Sequence, residues 1–293
     1  MDFSSCVTFY NGKKIPMLGL GVWNMKEKTY DAVRWALDAG YRHLDCASVY
    51  GNEADVGRAV KDSGIPREEL FITSKLFSGD VRSGDVDGGI RGSLERLGTD
   101  YLDLYLIHWP IADKYVPAWK KMEDWAKKGV LRSIGLSNFH PHHYQDVLAA
   151  AEIKPACVQL EIHPYLAQAE NLAYYSKEGV AVEAWSPLGG TPGSWDNDIV
   201  GPSVPDRGRS SGMLFKDPVI LQMAEKYGKS AGQIIIRWHL QRGVICIPKS
   251  VHKERIIENS QVFDFNISDE DMAAITALDH NGRVGANPDT FKF

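Results

Sequence analysis

A chain of 293 residues with a formal net charge of −5 is long enough for one large barrel or two ordinary domains, and it lacks the broad positive surface that nucleic acid requires. Its hydrophobic content of 44% and charged content of 24% are ordinary for a folded globular protein, and its apolar runs are too short to span a bilayer. A small-molecule partner is therefore expected, without nucleic acid or membrane. Cys6, Cys46, Cys157 and Cys246 are scattered with no C-x-x-C pair, so neither a structural zinc nor a disulfide framework is expected. The start, Met-Asp-Phe-Ser-Ser, has no basic stretch followed by an apolar core, which makes cytoplasmic the default location.

Asn11-Gly12, between extended segments Val7 to Tyr10 and Lys13 to Pro16, is a strong short signal for a tight hairpin. Met17 to Gly21 then reads as a buried strand, and Tyr30, Val33 and Leu37 mark a helix closed by Gly40. The unit recurs. Strand Tyr41 to Asp45 precedes helix Glu53 to Ser63, and strand Phe71 to Lys75 precedes a helix near Gly89 to Leu97. Tyr101 to His108 is a fourth strand, with a helix carrying Trp119, Met122 and Ala126. Leu131 to Gly135 precedes a helix around Tyr144, Val147 and Leu148, and Ala156 to Leu160 precedes helix Gln168 to Lys177. Val180 to Trp185 is the seventh strand.

The stretch Gly189 to Phe215 has 27 residues, 17 of them Gly, Pro, Ser, Asp or Asn, too long for a connector and without helical periodicity. Loops of this length in a compact domain usually serve function, so a lid is expected. Helices are expected over Asp217 to Tyr227 and from Ser230, where Ser-Ala-Gly-Gln233 makes a capping box. Val244 to Ile247 is the eighth strand, followed by helices from His252 to Ser260 and from Asp269 to Leu278, the latter with Ser268 as N-cap.

Eight strands alternating with helices, with no linker between them, predict an α/β fold. It is one (β/α)8 TIM barrel over residues 1–293, with an N-terminal β-hairpin and an extra C-terminal helix. The competing fold is a doubly wound dinucleotide-binding sheet, because Gly19-x-Gly21 follows a strand and Asp45 lies downstream. Asn24 occupies its third glycine position, which counts against it.

In such barrels the working residues sit at the C-terminal strand ends, where Asp45, Lys75, His108, Ser137, Gln159, Trp185 and Lys249 all fall. Tyr50 follows close behind Asp45. A phenol is a sluggish acid at neutral pH, so proton donation by Tyr50 calls for a neighbouring cation to lower its pKa. Lys75 supplies the cation, and Asp45 keeps a buried ammonium charged. His108 can orient a carbonyl oxygen or share the proton.

The strings Gly-Leu-Gly-Val22-Trp23, Gly-Tyr-Arg-His-Leu-Asp45-Cys-Ala-Ser-Val-Tyr50-Gly-Asn-Glu, Ser-Lys75-Leu, Tyr-Leu-Asp-Leu-Tyr-Leu-Ile-His108-Trp-Pro, Gly-Leu-Ser137-Asn138-Phe, Ala-Trp185-Ser-Pro-Leu-Gly and Ile-Pro-Lys249-Ser250 resemble the aldo-keto reductases, in order and across nearly the whole chain. The resemblance implies an NADPH-dependent oxidoreductase that reduces aldehydes and ketones, with Asp45, Tyr50, Lys75 and His108 as its catalytic tetrad and Tyr50 as proton donor. No metal is implied, since the proton and the histidine stabilise the oxyanion. Cofactor contacts are implied for Val22, Trp23, Ser137, Asn138, Gln159, Trp185, Ser186 and Leu188, with Trp185 stacking on the nicotinamide. At the adenosine end they are implied for Lys249, Ser250, Val251, Arg255, Glu258 and Asn259, whose cations favour NADPH over NADH. Trp23, Tyr50, His108 and Trp109 would line the substrate pocket, and many relatives of this size are monomers.

Among the departures from the family, Val158 stands where Asn is common before Gln159, and Phe77 where Trp is common; the connection after His108 and the C-terminal tail are short, and the Gly189 to Phe215 loop is long. His140-Pro-His142-His143 invites a metal reading, but no carboxylate lies at ligand spacing nearby. The alternatives to a reductase are a Schiff-base lyase using Lys75 and a catalytically silent nicotinamide-binding sensor or structural barrel.

Overall fold

The structure, a computed structural model, describes residues 1–190 and 212–290. Two short antiparallel strands, β1 (Cys6–Thr8) and β2 (Lys14–Pro16), open the chain. The turn differs from the two-residue form expected of Asn-Gly. Phe9 N donates to Lys13 O at 2.8 Å and Gly12 N to Phe9 O at 2.9 Å, so Tyr10, Asn11 and Gly12 form a three-residue loop with Gly12 at φ 80°.

Eight parallel strands follow in sequential order: β3 (Leu20–Gly21), β4 (His43–Asp45), β5 (Phe71–Leu76), β6 (Leu104–Ile107), β7 (Ile134–Ser137), β8 (Cys157–Glu161), β9 (Ala181–Trp185) and β10 (Ile245–Cys246). The sheet closes on itself. Leu18 bridges Cys246 in parallel, Gly19 N donates to Cys246 O at 2.9 Å, and Cys246 N donates to Met17 O at 2.8 Å. The two glycines that imitate a dinucleotide fingerprint belong to this seam. A Cβ on Gly19 would lie 2.5 Å from His43 Nδ1, and one on Gly21 would lie 2.8 Å from Ile247 O.

The outer layer contains α1 (Thr29–Asp38), α2 (Glu53–Ser63), α3 (Ser78–Ser83), α4 (Val86–Leu97), α5 (Tyr115–Lys127), α6 (Pro141–Ala150) and α7 (Ala169–Lys177), followed by α8 (Pro218–Tyr227), α9 (Ala231–Gln241), α10 (Lys253–Ser260) and α11 (Asp269–Thr276). The Ser230–Gln233 capping box forms, and Ser268 caps α11. Helix α3 has no counterpart in the sequence expectations, because only Ser78 and Val81 of its six residues are buried. The strand expected from Leu131 to Gly135 runs instead over Ile134–Ser137, since Leu131 pairs only as an isolated bridge to Leu102. The expected lid falls largely on residues 191–211, outside the described residues.

Inside the barrel, chemistry changes with height. At the N-terminal end Phe71, Leu104, Leu106, Cys157 and Ile245 pack with Phe9 and Ile15, so the hairpin plugs the barrel floor. Moving toward the strand C-termini, inward positions turn polar: His43, Thr73 and Glu183, then Asp45 and Lys75, all at most 2% exposed. Apolar burial therefore anchors one end and frees the other for chemistry.

His43 and His239 are both fully buried, and burial pushes each imidazole down to about 3. Unfolding returns each to about 6.5, so each takes up a proton on unfolding at pH values between the two. Stability should therefore fall as pH drops from about 6.5 toward about 3, by up to about 1.4 kcal/mol per pH unit for each histidine. His239 Nε2 lies 3.1 Å from Pro187 O, and His239→Gln can keep a donor for that carbonyl. Urea unfolding across this range should show the acid slope reduced by about one proton in the variant; an unchanged slope would remove His239 from the groups that charge.

Candidate active site

The residue that delivers the phenol is held by the turn after β4. Ser48–Tyr50 form one tight turn ending at Gly51, which sits at φ 68°. Asn52 then donates to Val22 O at 2.9 Å and Thr29 Oγ1 at 3.1 Å, while Glu53 accepts from Ser74 Oγ at 2.5 Å and Arg96 Nε at 2.7 Å. The Gly-Asn-Glu run after Tyr50 thus fastens the turn to β5, α1 and α4.

Alternation along β5 sends Ser74 outward to Glu53 and Lys75 inward. Lys75 is fully buried and donates to Asp45 Oδ1 at 2.6 Å, to Cys46 O at 2.9 Å and to Tyr50 OH at 3.5 Å. Burial pulls its proton off, but Asp45 foremost, with Tyr50 and Glu183, together outweigh that effect, so the ammonium is held charged. His108 follows β6, its ring 5.8 Å from that of Tyr50, and burial, then Lys75, keeps the imidazole neutral far below its usual range.

Tyr50 departs from expectation. Its hydroxyl is pushed up to about 12, because burial raises it more than Lys75 lowers it. The group is a stored proton rather than an activated phenolate, and Lys75 offsets only part of the cost of ionising it.

A cavity of about 840 Å³ opens over these groups. At one end stand Trp23, Asn24, Val49, Phe77, Arg82 and Trp109, with the Trp23 and Tyr50 rings 6.3 Å apart. Midway lie Ser137, Asn138, Gln159, Trp185, Ser186 and Leu188. Asn138, at φ 65°, donates to His108 O at 3.0 Å and to Ser137 Oγ at 3.1 Å, and accepts from Trp185 Nε1 at 2.8 Å. It therefore ties the His108 backbone to the Trp185 indole. At the far end are Lys249, Ser250, Val251, Arg255, Glu258 and Asn259, around the head of α10. Neither Lys249 nor Arg255 pairs with an acid among the described residues, and burial lowers the Lys249 ammonium.

Of the residues singled out from sequence, Val22 and Lys75 do not line the cavity. Val22 is fully buried, its N–H donating to Asp45 O at 3.0 Å, and Lys75 acts from behind Tyr50. The sequence reading missed Ser230, Ala231 and Gly232, which bring the head of α9 to the cavity wall. The capping box located that helix start without revealing what it faces. The reading also missed the tail. Val284 N and Gly285 N donate to buried Glu161 at 2.5 and 3.2 Å, and a Cβ on Gly285 would lie 2.3 Å from the Trp185 indole.

The histidine cluster does acquire a carboxylate that local spacing could not show. Asp289 Oδ2 lies 2.8 Å from His140 Nδ1, and Asp289 Oδ1 lies 3.5 Å from His142 Nε2. His143 Nδ1 accepts from His140 N at 3.3 Å, which leaves its proton on Nε2. The 3.0 Å approach of His142 and His143 Nε2 is then an N–H···N hydrogen bond rather than a ligand pair.

Comparison with known proteins agrees with this architecture. The family model described as "Aldo/keto reductase family" matches residues 17–280. An "Uncharacterized oxidoreductase YtbE" of Bacillus subtilis (strain 168) is 44% identical over 292 residues, covering 98% of this chain and 97% of that protein. "Glyoxal reductase" of the same organism is 44% identical over 289 residues, covering 98% and 97%. A solved Bombyx mori aldo-keto reductase in complex with NADP superimposes with a TM-score of 0.86 at 35% identity, covering 99% of this chain and 97% of that one. With a family model spanning the barrel and relatives matched end to end, this chain belongs to the aldo/keto reductase family.

Proposed function

We propose that this protein reduces small aldehydes or ketones to alcohols with NADPH, Tyr50 delivering the proton. The observation that carries this reading is the buried Lys75 ammonium, 2.6 Å from Asp45 and 3.5 Å from the Tyr50 hydroxyl, behind a cavity whose lining includes Tyr50, Lys249 and Arg255. Family membership supports the reaction class, and the NADP-bound relative supports the cofactor.

The residues present fit that cofactor. Lys249 and Arg255 at the head of α10 suit a phosphate dianion, with Ser250 beside them. Trp185, held by Asn138, offers a flat face to a heterocycle, and Ser137, Asn138 and Gln159 offer polar partners to a carboxamide. When bound, NADPH supplies the hydride that the carbonyl carbon accepts.

The chain's own residues handle the oxygen. Tyr50 and His108 face each other at the cavity's aromatic end, where a carbonyl oxygen can accept from both. Tyr50 gives up its proton as charge builds on that oxygen, and the Lys75 ammonium stabilises the phenolate left behind. Asp45 keeps Lys75 charged throughout. Neutral His108 acts as a hydrogen-bond donor, with no need to ionise. Trp23, Phe77 and Trp109 form an apolar wall suited to a small substrate, and the glyoxal reductase among the relatives supports small aldehydes. Lys75 is a poor candidate for Schiff-base chemistry, because its amine is fully buried, charged and committed to Asp45 and Cys46 O.

NADPH oxidation should be measured with phenylglyoxal, methylglyoxal, xylose and a simple aromatic aldehyde. Tyr50→Phe should lower kcat by about 10²- to 10⁴-fold while NADPH binding, read by fluorescence quenching, persists. Binding without turnover of any carbonyl by the wild type would favour a silent sensor. Lys249→Met and Arg255→Met should each weaken NADPH binding by about 10- to 100-fold and leave NADH binding nearly unchanged, which isothermal titration can read. Equal losses for both cofactors would refute a 2′-phosphate contact.

A further inference from the structure

Beneath the tetrad lies a carboxyl group that the reaction outlined above leaves unused. Glu183 is fully buried on β9, in register with Gln159 on β8. The Gln159 amide nitrogen donates to Asp45 Oδ2 at 2.8 Å and to Glu183 Oε2 at 2.7 Å, which uses both of its hydrogens. The Gln159 oxygen has no hydrogen-bond partner among the described residues, and Gln159 lines the cavity. Glu183 Oε1 also lacks a hydrogen bond. His43 Nε2 lies 3.4 Å from it, but that ring is neutral, so the approach is not an ion pair.

One ammonium thus serves two carboxyl groups joined by one amide. The titratable and charged groups facing Glu183 are Asp45 and His43 from β4, Lys75 from β5, Cys157 from β8 and Cys246 from β10. Burial holds both thiols protonated, so the charges in play are those of Asp45, Lys75 and Glu183 itself.

We propose that Glu183 is a positioning residue for the reduction, acting through Gln159 and Asp45. By accepting one Gln159 hydrogen it fixes that amide with its oxygen toward the cavity, where a nicotinamide carboxamide can donate to it. By holding or releasing its own proton it sets how strongly the floor of the site retains charge on Lys75. Burial first, then Asp45, pushes the Glu183 carboxyl up to about 8. Below that value the floor holds one carboxylate against one ammonium. Above it a second negative charge appears, phenolate formation at Tyr50 becomes harder, and proton delivery slows. The role rests on the NADPH-dependent reduction proposed above.

The test is the pH dependence of kcat for wild type and Glu183→Gln between about pH 6 and about pH 10, with NADPH affinity measured alongside. Wild type should step down to a lower plateau centred near the Glu183 value of about 8, and the variant should lack that step. A wild-type to variant ratio of kcat that stays constant across pH would reduce Glu183 to a structural role and overturn the proposal. Glu183→Leu, which removes the acceptor, should weaken NADPH binding about tenfold by freeing the Gln159 amide to turn; unchanged affinity would overturn the orienting part. Infrared difference spectra of the wild type need no variant. A protonated carboxyl that titrates near pH 8 should appear, and its absence would overturn the charge-state part. A wild type that neither binds NADPH nor turns over would instead sink the reductase reading itself, whatever the infrared spectra show.

Discussion

Everything at the barrel mouth depends on one contact, the Lys75 ammonium 2.6 Å from the Asp45 carboxylate with no solvent exposure at the lysine. Two such charges are costly to bury, and the pair survives because each is satisfied several times over. Lys75 also donates to Cys46 O, and Asp45 also accepts from Gln159. Remove either partner and burial drives the other toward its neutral form. The same desolvation keeps His108 neutral and Tyr50 protonated, so one burial effect fixes the starting state of two groups while Lys75 keeps its charge against it.

The barrel supplies that burial by grading its interior. Phe9 and Ile15 of the hairpin close the apolar end, and the inward residues become polar only toward the strand C-termini. Apolar packing at the plugged end stabilises the fold independently of the site. The mouth can therefore carry a row of groups that would destabilise a smaller domain.

Much of this was legible in the chain. Asp45, Lys75 and Gln159 announce themselves as polar residues at the ends of apolar runs, and the Ser230 box marks a helix start by local chemistry alone. What was illegible depends on distance in space. Whether burial or Lys75 wins at Tyr50 is a balance of opposing terms that residue identity does not reveal. Asp289 reaches His140 from a tail remote in sequence, and Glu183 looks like an ordinary polar residue until the register with Gln159 is known. Helix α3 escaped because six residues with two buried side chains show no period. At Asn11-Gly12 the pair marked the turn correctly, but the left-handed glycine serves a three-residue loop.

The segment that Glu161 grips has a bearing on how the Trp185 indole is held. Val284 and Gly285 lie beyond the last barrel strand, yet Gly285 is packed against the Trp185 indole so closely that no side chain fits between them. The position of the Trp185 indole is therefore set by a segment outside the strands as well as by the strand that carries it, so crowding at Gly285 would shift the ring without unpairing any strand.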